Sequence, residues 1–183
     1  MLRYFFGYKA DSAVEDLYRK AVAQARLPVF YRSFGVADTV DGRFEMIVFH
    51  VSPLIDRLRD DKGATLDAGQ GLFDTFVNDM EGNLRTIGIG DISVPKKMKK
   101  LGQGIYGRLE AYRRSVGDEA ELALVIARNV LDDASAAGRA EARALAAYFA
   151  AVHAAAGASP DPVAGFAFPD PTPFVPAAEG VRP

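Results

Sequence analysis

Residues 40–58 read VDGRFEMIVFHVSPLIDRL. Phe44, Ile47, Val48, Val51, Ile55 and Leu58 recur there at steps of three, one, three, four and three, which lines them up on one face of an α-helix. Asp38 or Thr39 stands where an N-cap belongs. Pro53, inside the run, is expected to kink the helix. The same period continues in both directions. Upstream, Ser12 and Glu15 have capping-box spacing, which predicts a helix to about Arg26 that Pro28 breaks. A short helix or turn over 29–34 ends at Gly35. Downstream, Gly63 precedes a helix whose buried face is Leu72, Phe73, Phe76, Val77, Met80 and Leu84. A long helix over 94–116 follows Asp91 or Ser93, with Pro95 tolerated in its first turn. Asp118 caps another helix to about Asp132, and a last helix covers about 136–155.

Strand periodicity is weak throughout. The expected fold is all-α: a single compact helical domain of about six to seven helices over 1–156. From Gly157 onward the chain holds seven of its ten prolines, so 157–183 are expected to form an irregular or flexible tail. Phe166, Phe168 and Phe174 are the residues that would pin it to the body.

Composition narrows function by exclusion. With 183 residues, 49% hydrophobic and 25% charged, the chain has the balance of a folded domain with one sizeable core. A net charge of −2 gives no strong overall attraction to nucleic acid, and no DNA partner is expected. There is no cysteine, hence no disulfide, no thiolate nucleophile and no cysteine-ligated zinc or iron–sulfur cluster. Two histidines, His50 and His153, are too few for a histidine-rich metal site, so neither metal nor cofactor is expected. No apolar run approaches the roughly 18 to 20 residues a membrane span needs. The expected location is the cytoplasm, with a peripheral contact to the inner membrane through Leu2, Tyr4, Phe5 and Phe6 left open.

The helix over 94–116 is divided by charge. Val94, Met98, Leu101, Ile105, Leu109, Tyr112 and Val116 form a narrow apolar stripe. Lys96, Lys97, Lys99, Lys100, Arg108, Arg113 and Arg114 fill the rest against a single acid, Glu110. The local charge is +6, leaving −8 on the remainder of the chain. Gly104 and Gly107 lie on the side of Lys96, Lys100 and Arg114. Each interior glycine disfavours a helix by on the order of 1 kcal/mol against alanine. Two of them on a basic face imply close approach of another backbone or a flat surface. The plainer alternative is a solvated helix face. The candidate partner-binding residues are Lys96, Lys97, Lys99, Lys100, Gly104, Gly107, Arg108 and Arg114.

A second candidate surface groups Asp38, Arg43, His50 and Arg57, since Arg43 and Arg57 each lie seven residues from His50 on one helical flank. A lone histidine there is more often a packed, hydrogen-bonded residue than a ligand. No nucleophile with a base and an orienting third group accompanies it, so catalytic residues are not assigned. Gly88-Ile89-Gly90 before a helix suggests phosphate binding but lacks the full fingerprint spacing, and Asp91 opposes an anion; turn plus cap is preferred.

Taken in order, Phe30-Tyr31-Arg32, Val36-Ala37-Asp38-Thr39, Gly42-Arg43-Phe44 and His50 resemble the first half of the ubiquinol–cytochrome c chaperone family. Phe73-Asp74, Asp79-Met80, Leu84-Arg85, Gly88-Ile89-Gly90-Asp91, Val94-Pro95-Lys96, Met98-Lys99, Tyr106-Gly107-Arg108 and Ala111-Tyr112 resemble the second half. The resemblance runs from about Leu17 to Ala155 and omits the proline-rich tail. It implies an assembly chaperone for respiratory complex III that binds cytochrome b or its assembly intermediates. In mitochondria such proteins work with a small partner protein and associate with the ribosome. The first residues show no arginine- and serine-rich presequence, so a bacterial-type member is expected. A lipid- or quinone-binding helical protein, and a small enzyme using Asp38, Arg43 and His50, are the rival readings. A deep closed cavity would mark the first, and convergence of those three side chains the second.

Overall fold

The hydroxyl of Thr39 accepts the amide hydrogen of Gly42 at 3.1 Å and so caps the central helix, α3 (Val40–Arg57). The structure is a computed structural model that describes residues 12–60, 62–86 and 94–177; the side chains of 84–86 and 94–103 lie outside that description. Before α3 come α1 (Ser12–Ala25) and α2 (Pro28–Ser33); after it come α4 (Asp67–Thr86), α5 (Val94–Ser115), α6 (Glu119–Asn129) and α7 (Ala140–Ala158). The described residues are helical apart from turns, irregular chain and one isolated bridge between Arg59 and Thr65. The fold is all-α.

Pro28 ends α1 and also starts α2, where its fixed φ suits the first helical position and its missing N–H leaves no bond unmade. Gly35, at φ +73°, then reverses the chain in a conformation that side chains with a Cβ resist. Asp118 caps α6 by accepting from the amides of Ala120 and Glu121 at 3.0 and 3.1 Å.

The single stripe expected along α3 is too narrow. Every residue from Glu45 to Ile55 is buried, including Met46, Phe49 and Leu54, which lie off the stripe. The reason is position: α1, α4, α5 and α7 all pack against α3, and a helix enclosed on all sides is apolar all round. Pro53 is accommodated inside α3 without ending it.

Two boundaries differ from expectation. The sixth helix stops at Asn129, short of Asp132, which sits at φ 52° and so cannot continue it. The last α-helix starts at Ala140, because Asp133 caps a short 3-10 helix, Ala134–Gly138, by accepting from the amide of Ser135 at 2.9 Å.

After α7 the chain is irregular but held. Phe166 is 2% exposed in the core, and Phe168 and Phe174 set their edges against His50 and Tyr148. Lys20 of α1 donates to the Phe166 carbonyl at 3.1 Å, and Gln24 and Tyr148 both donate to that of Pro169 at 3.3 Å. The aromatic segment 2–6, the glycine loop 88–91 and the last residues of the tail lie outside the described residues.

Candidate functional site

The basic helix α5 is anchored by Ile105, Leu109 and Tyr112, all buried as the stripe predicts. The remaining circumference is less uniformly free than its composition suggests. Arg108 turns into the body and forms a two-pronged pair with Glu45 of α3: Nε to Oε2 at 2.8 Å and Nη2 to Oε1 at 2.5 Å. Its guanidinium also lies 5.9 Å from the centre of the Phe44 ring. Burial pushes the Glu45 carboxyl up, and the Arg108 guanidinium beside it works in the opposite sense. Arg113 and Arg114 both fold back on Glu110, at 2.7 and 2.6 Å. These exposed pairs hold the Glu110 carboxyl down at about 2. The four lysines belong to the first turns of α5, with side chains outside the described residues.

Arg108 thus serves the core first. Replacing it with alanine leaves a buried carboxylate unpaired, and the expected loss of stability is about 2 kcal/mol, below the range for fully buried pairs because Arg108 is 30% exposed. Urea unfolding of Arg108→Ala beside Arg108→Met/Glu45→Leu checks this. The double variant should recover most of the loss. If the single variant unfolds at the wild-type midpoint, the pair holds nothing together.

Asp38, Arg43, His50 and Arg57 do not assemble into one surface. Asp38 and Arg43 pair at 2.6 Å on the outside, where Arg43 also covers the Tyr31 ring, and Arg57 is exposed at the far end of α3. His50, between them in sequence, is fully buried. Its Nδ1 lies 2.8 Å from the Met46 carbonyl, and Phe30, Phe49, Tyr148 and Phe168 surround the ring. The three residues share a helical flank, but α3 is covered in its middle and open only at its ends. The three side chains of the rival enzyme reading do not converge.

Gly104 and Gly107 face a groove between α5 and α6. It encloses about 250 Å³ and is lined also by Arg108, Ala111, Val125, Arg128 and Asn129. A Cβ built on Gly107 would meet nothing within 4 Å, and one on Gly104 only the Arg108 Nη1 at 3.1 Å. Among the described residues, no backbone makes the close approach that the glycines allow. Spacing along the chain carries no signal for the α6 side of the groove, because the pairing of α5 with α6 is set by packing. His153 and Asp56 pair at 3.0 Å across 97 residues, a contact that local spacing cannot signal.

The model of the ubiquinol-cytochrome C chaperone family matches residues 32–164. The chain belongs to that family. Among solved structures, it is similar to the Cbp3 homolog from Brucella abortus. The two are 32% identical, the match covers 89% of this chain and 92% of that one, and the TM-score is 0.79. No curated protein matches. In this member of the ubiquinol-cytochrome C chaperone family, the matched span takes in α3, α5, the Glu45–Arg108 pair and the α5–α6 groove. The tail anchors Phe166, Phe168 and Phe174 fall beyond it.

Proposed function

We propose that this chain is an assembly chaperone that binds cytochrome b, or an assembly intermediate containing it, during the biogenesis of ubiquinol–cytochrome c reductase, respiratory complex III. The observation that carries the reading is the family match over residues 32–164. The protein acts by holding its client, without catalysis. Among the described residues no helix is long and apolar enough to cross a membrane.

The lysines of α5 supply a physical reason for contact at that helix. Lys96, Lys97, Lys99 and Lys100 fall near its N-terminus, the positive end of the helix dipole, and no acid occupies its first turn. A cation there opposes the dipole by some tenths of a kcal/mol. Helix stability therefore does not account for four of them, whereas an anionic partner does.

Deleting the gene should lower assembled complex III, read as b-type haem in solubilised membranes, while transcripts of the catalytic subunits stay unchanged. Replacing the four lysines with glutamine should reduce the cytochrome b recovered with the tagged protein, and high salt should do the same to the wild type. Stability should change by no more than about 0.5 kcal/mol per substitution. Normal complex III haem in the deletion strain would sink the proposal.

A further inference from the structure

After Phe166 the tail changes character. Phe166 is buried in the core, but of the apolar side chains from Phe168 to Pro176 only Pro171 is fully covered. Proline at 169, 171, 173 and 176 removes amide donors from this stretch. Its backbone–backbone bonds stay within it: the amides of Phe174 and Val175 donate to the carbonyls of Pro171 and Thr172 at 3.0 and 3.2 Å. The polar contacts that hold it to the body come from side chains. Gln24 of α1 and Tyr148 of α7 converge on the Pro169 carbonyl, and Lys20 holds the Phe166 carbonyl before it. Every residue has a carbonyl, so these donors read an extended main chain, while the rings of His50 and Tyr148 receive Phe168 and Phe174. A groove binds a peptide in this way; here the peptide is the protein's own tail.

The tail does not satisfy what it covers. His50 Nε2 is buried without a hydrogen-bond partner among the described residues, and of the four rings around it Phe168 alone comes from the tail. Closing Phe168 over the ring keeps water from that acceptor, a cost that docking the tail carries and lifting it removes. Nor is the junction sealed where the tail leaves α7. A cleft of about 410 Å³ stays open there against α1, lined by Asp16, Arg19, Lys20, Ala23, Val163 and Ala164. The groove and its occupant also differ in kinship. His50 and Tyr148 lie in the span matched to the family, whereas residues 168–174 lie beyond it.

We infer that the groove floored by His50 and Tyr148 and flanked by Gln24 is a binding site for an extended, aromatic-bearing segment of the chaperone's client, and that residues 168–174 are a strap occupying it until the client displaces them. The client's part in this rests on the chaperone reading above; the exchange of strap for peptide does not. The chain has no cysteine, so Gln24→Cys/Pro169→Cys supplies two thiols that a short bis-maleimide joins across the groove in the full chain. The control carries the same substitutions with each thiol capped by N-ethylmaleimide. A fluorescent peptide of residues 163–177 is the probe. It should bind the capped protein and lose at least tenfold in affinity for the joined one. The strap is a tethered competitor, so Phe168→Ala/Phe174→Ala, which weakens it alone, should bind the peptide about tenfold more tightly than the wild type. From solubilised membranes the joined protein should recover about tenfold less cytochrome b than the capped one. Equal peptide affinity in the two forms overturns the inference, as does a bis-maleimide product that links two copies. Should the cysteine pair unfold the protein, equal affinity in Phe168→Ala/Phe174→Ala and the wild type overturns it instead. If the peptide exchanges while neither form recovers cytochrome b, the strap stands and the cytochrome b reading fails. If both forms recover cytochrome b equally, the chaperone reading stands and the inference fails.

Discussion

Gly42→Ala should lower the stability of the protein by about 3 kcal/mol, although alanine is the better helix former. Gly42 sits in the first turn of α3 with ordinary helical surroundings, so propensity alone predicts a gain. A Cβ there would lie 2.0 Å from the Ala37 carbonyl oxygen, inside any permitted contact. That oxygen accepts the Thr39 amide at 2.9 Å, and the Thr39 hydroxyl in turn caps α3 through Gly42 itself. Making room means lifting residues 37–39 off the helix and losing the cap, which is about 1 kcal/mol by itself. Displacing packed chain adds about 1 to 3 kcal/mol. Gly82→Ala is the control, since a Cβ at that position of α4 meets nothing within 4 Å. It should be neutral or stabilising by up to about 1 kcal/mol. The urea midpoint should fall for Gly42→Ala and hold or rise for Gly82→Ala; equal shifts in the two would show that the contact at Ala37 relaxes without cost.

Acid should weaken the protein through His50 before the carboxylates are titrated. The ring is fully buried, and burial lowers its pKa to about 4, a shift that the Met46 carbonyl opposes but does not cancel. With Nδ1 donating to that carbonyl, Nε2 is an acceptor with no partner, and a proton placed there would be a cation among aromatic rings. The direction follows from comparing the two states. In the unfolded chain the imidazole takes up a proton near pH 6.5, whereas in the native state it stays neutral down to about pH 4. Stability attributable to His50 is therefore intact above pH 6.5 and is lost as the pH falls toward 4, by about 3 kcal/mol in all. His50→Phe removes the titration while keeping an aromatic ring in the site. Its urea midpoint should fall less steeply than that of the wild type between pH 7 and 4.5. Parallel pH profiles for the two proteins would show that His50 does not govern acid sensitivity.

The chemistry that joins these results is proximity to α3. Gly42 lets its first turn close, Glu45 fastens α5 to it, and His50 marks where the tail covers it through Phe168. The α5–α6 groove is therefore carried by a braced scaffold. Its shape depends on α5 keeping its distance from α3, which ties the Arg108–Glu45 pair to the groove that Arg108 also lines.

Read alone, the sequence determined what short-range physics controls. Caps at Thr39 and Asp118, the break at Pro28, the reversal at Gly35 and the period of each apolar stripe act over one or two helical turns, so helix identity and fold class were legible. The ordered motif blocks likewise carried the family. Tertiary structure decided which polar residues face water. Arg108 was counted as part of a free basic face, yet its partner lies 63 residues away on another helix. His50 was grouped with Arg43 and Arg57, yet four neighbouring helices enclose the middle of α3 and a segment from beyond α7 brings Phe168 against the ring. The closeness of Gly42 to Ala37 and the pairing of α5 with α6 into a groove are equally invisible in spacing. Periodicity tells which side of a helix is apolar; only packing tells how many sides are covered, because burial depends on where the rest of the chain comes to lie.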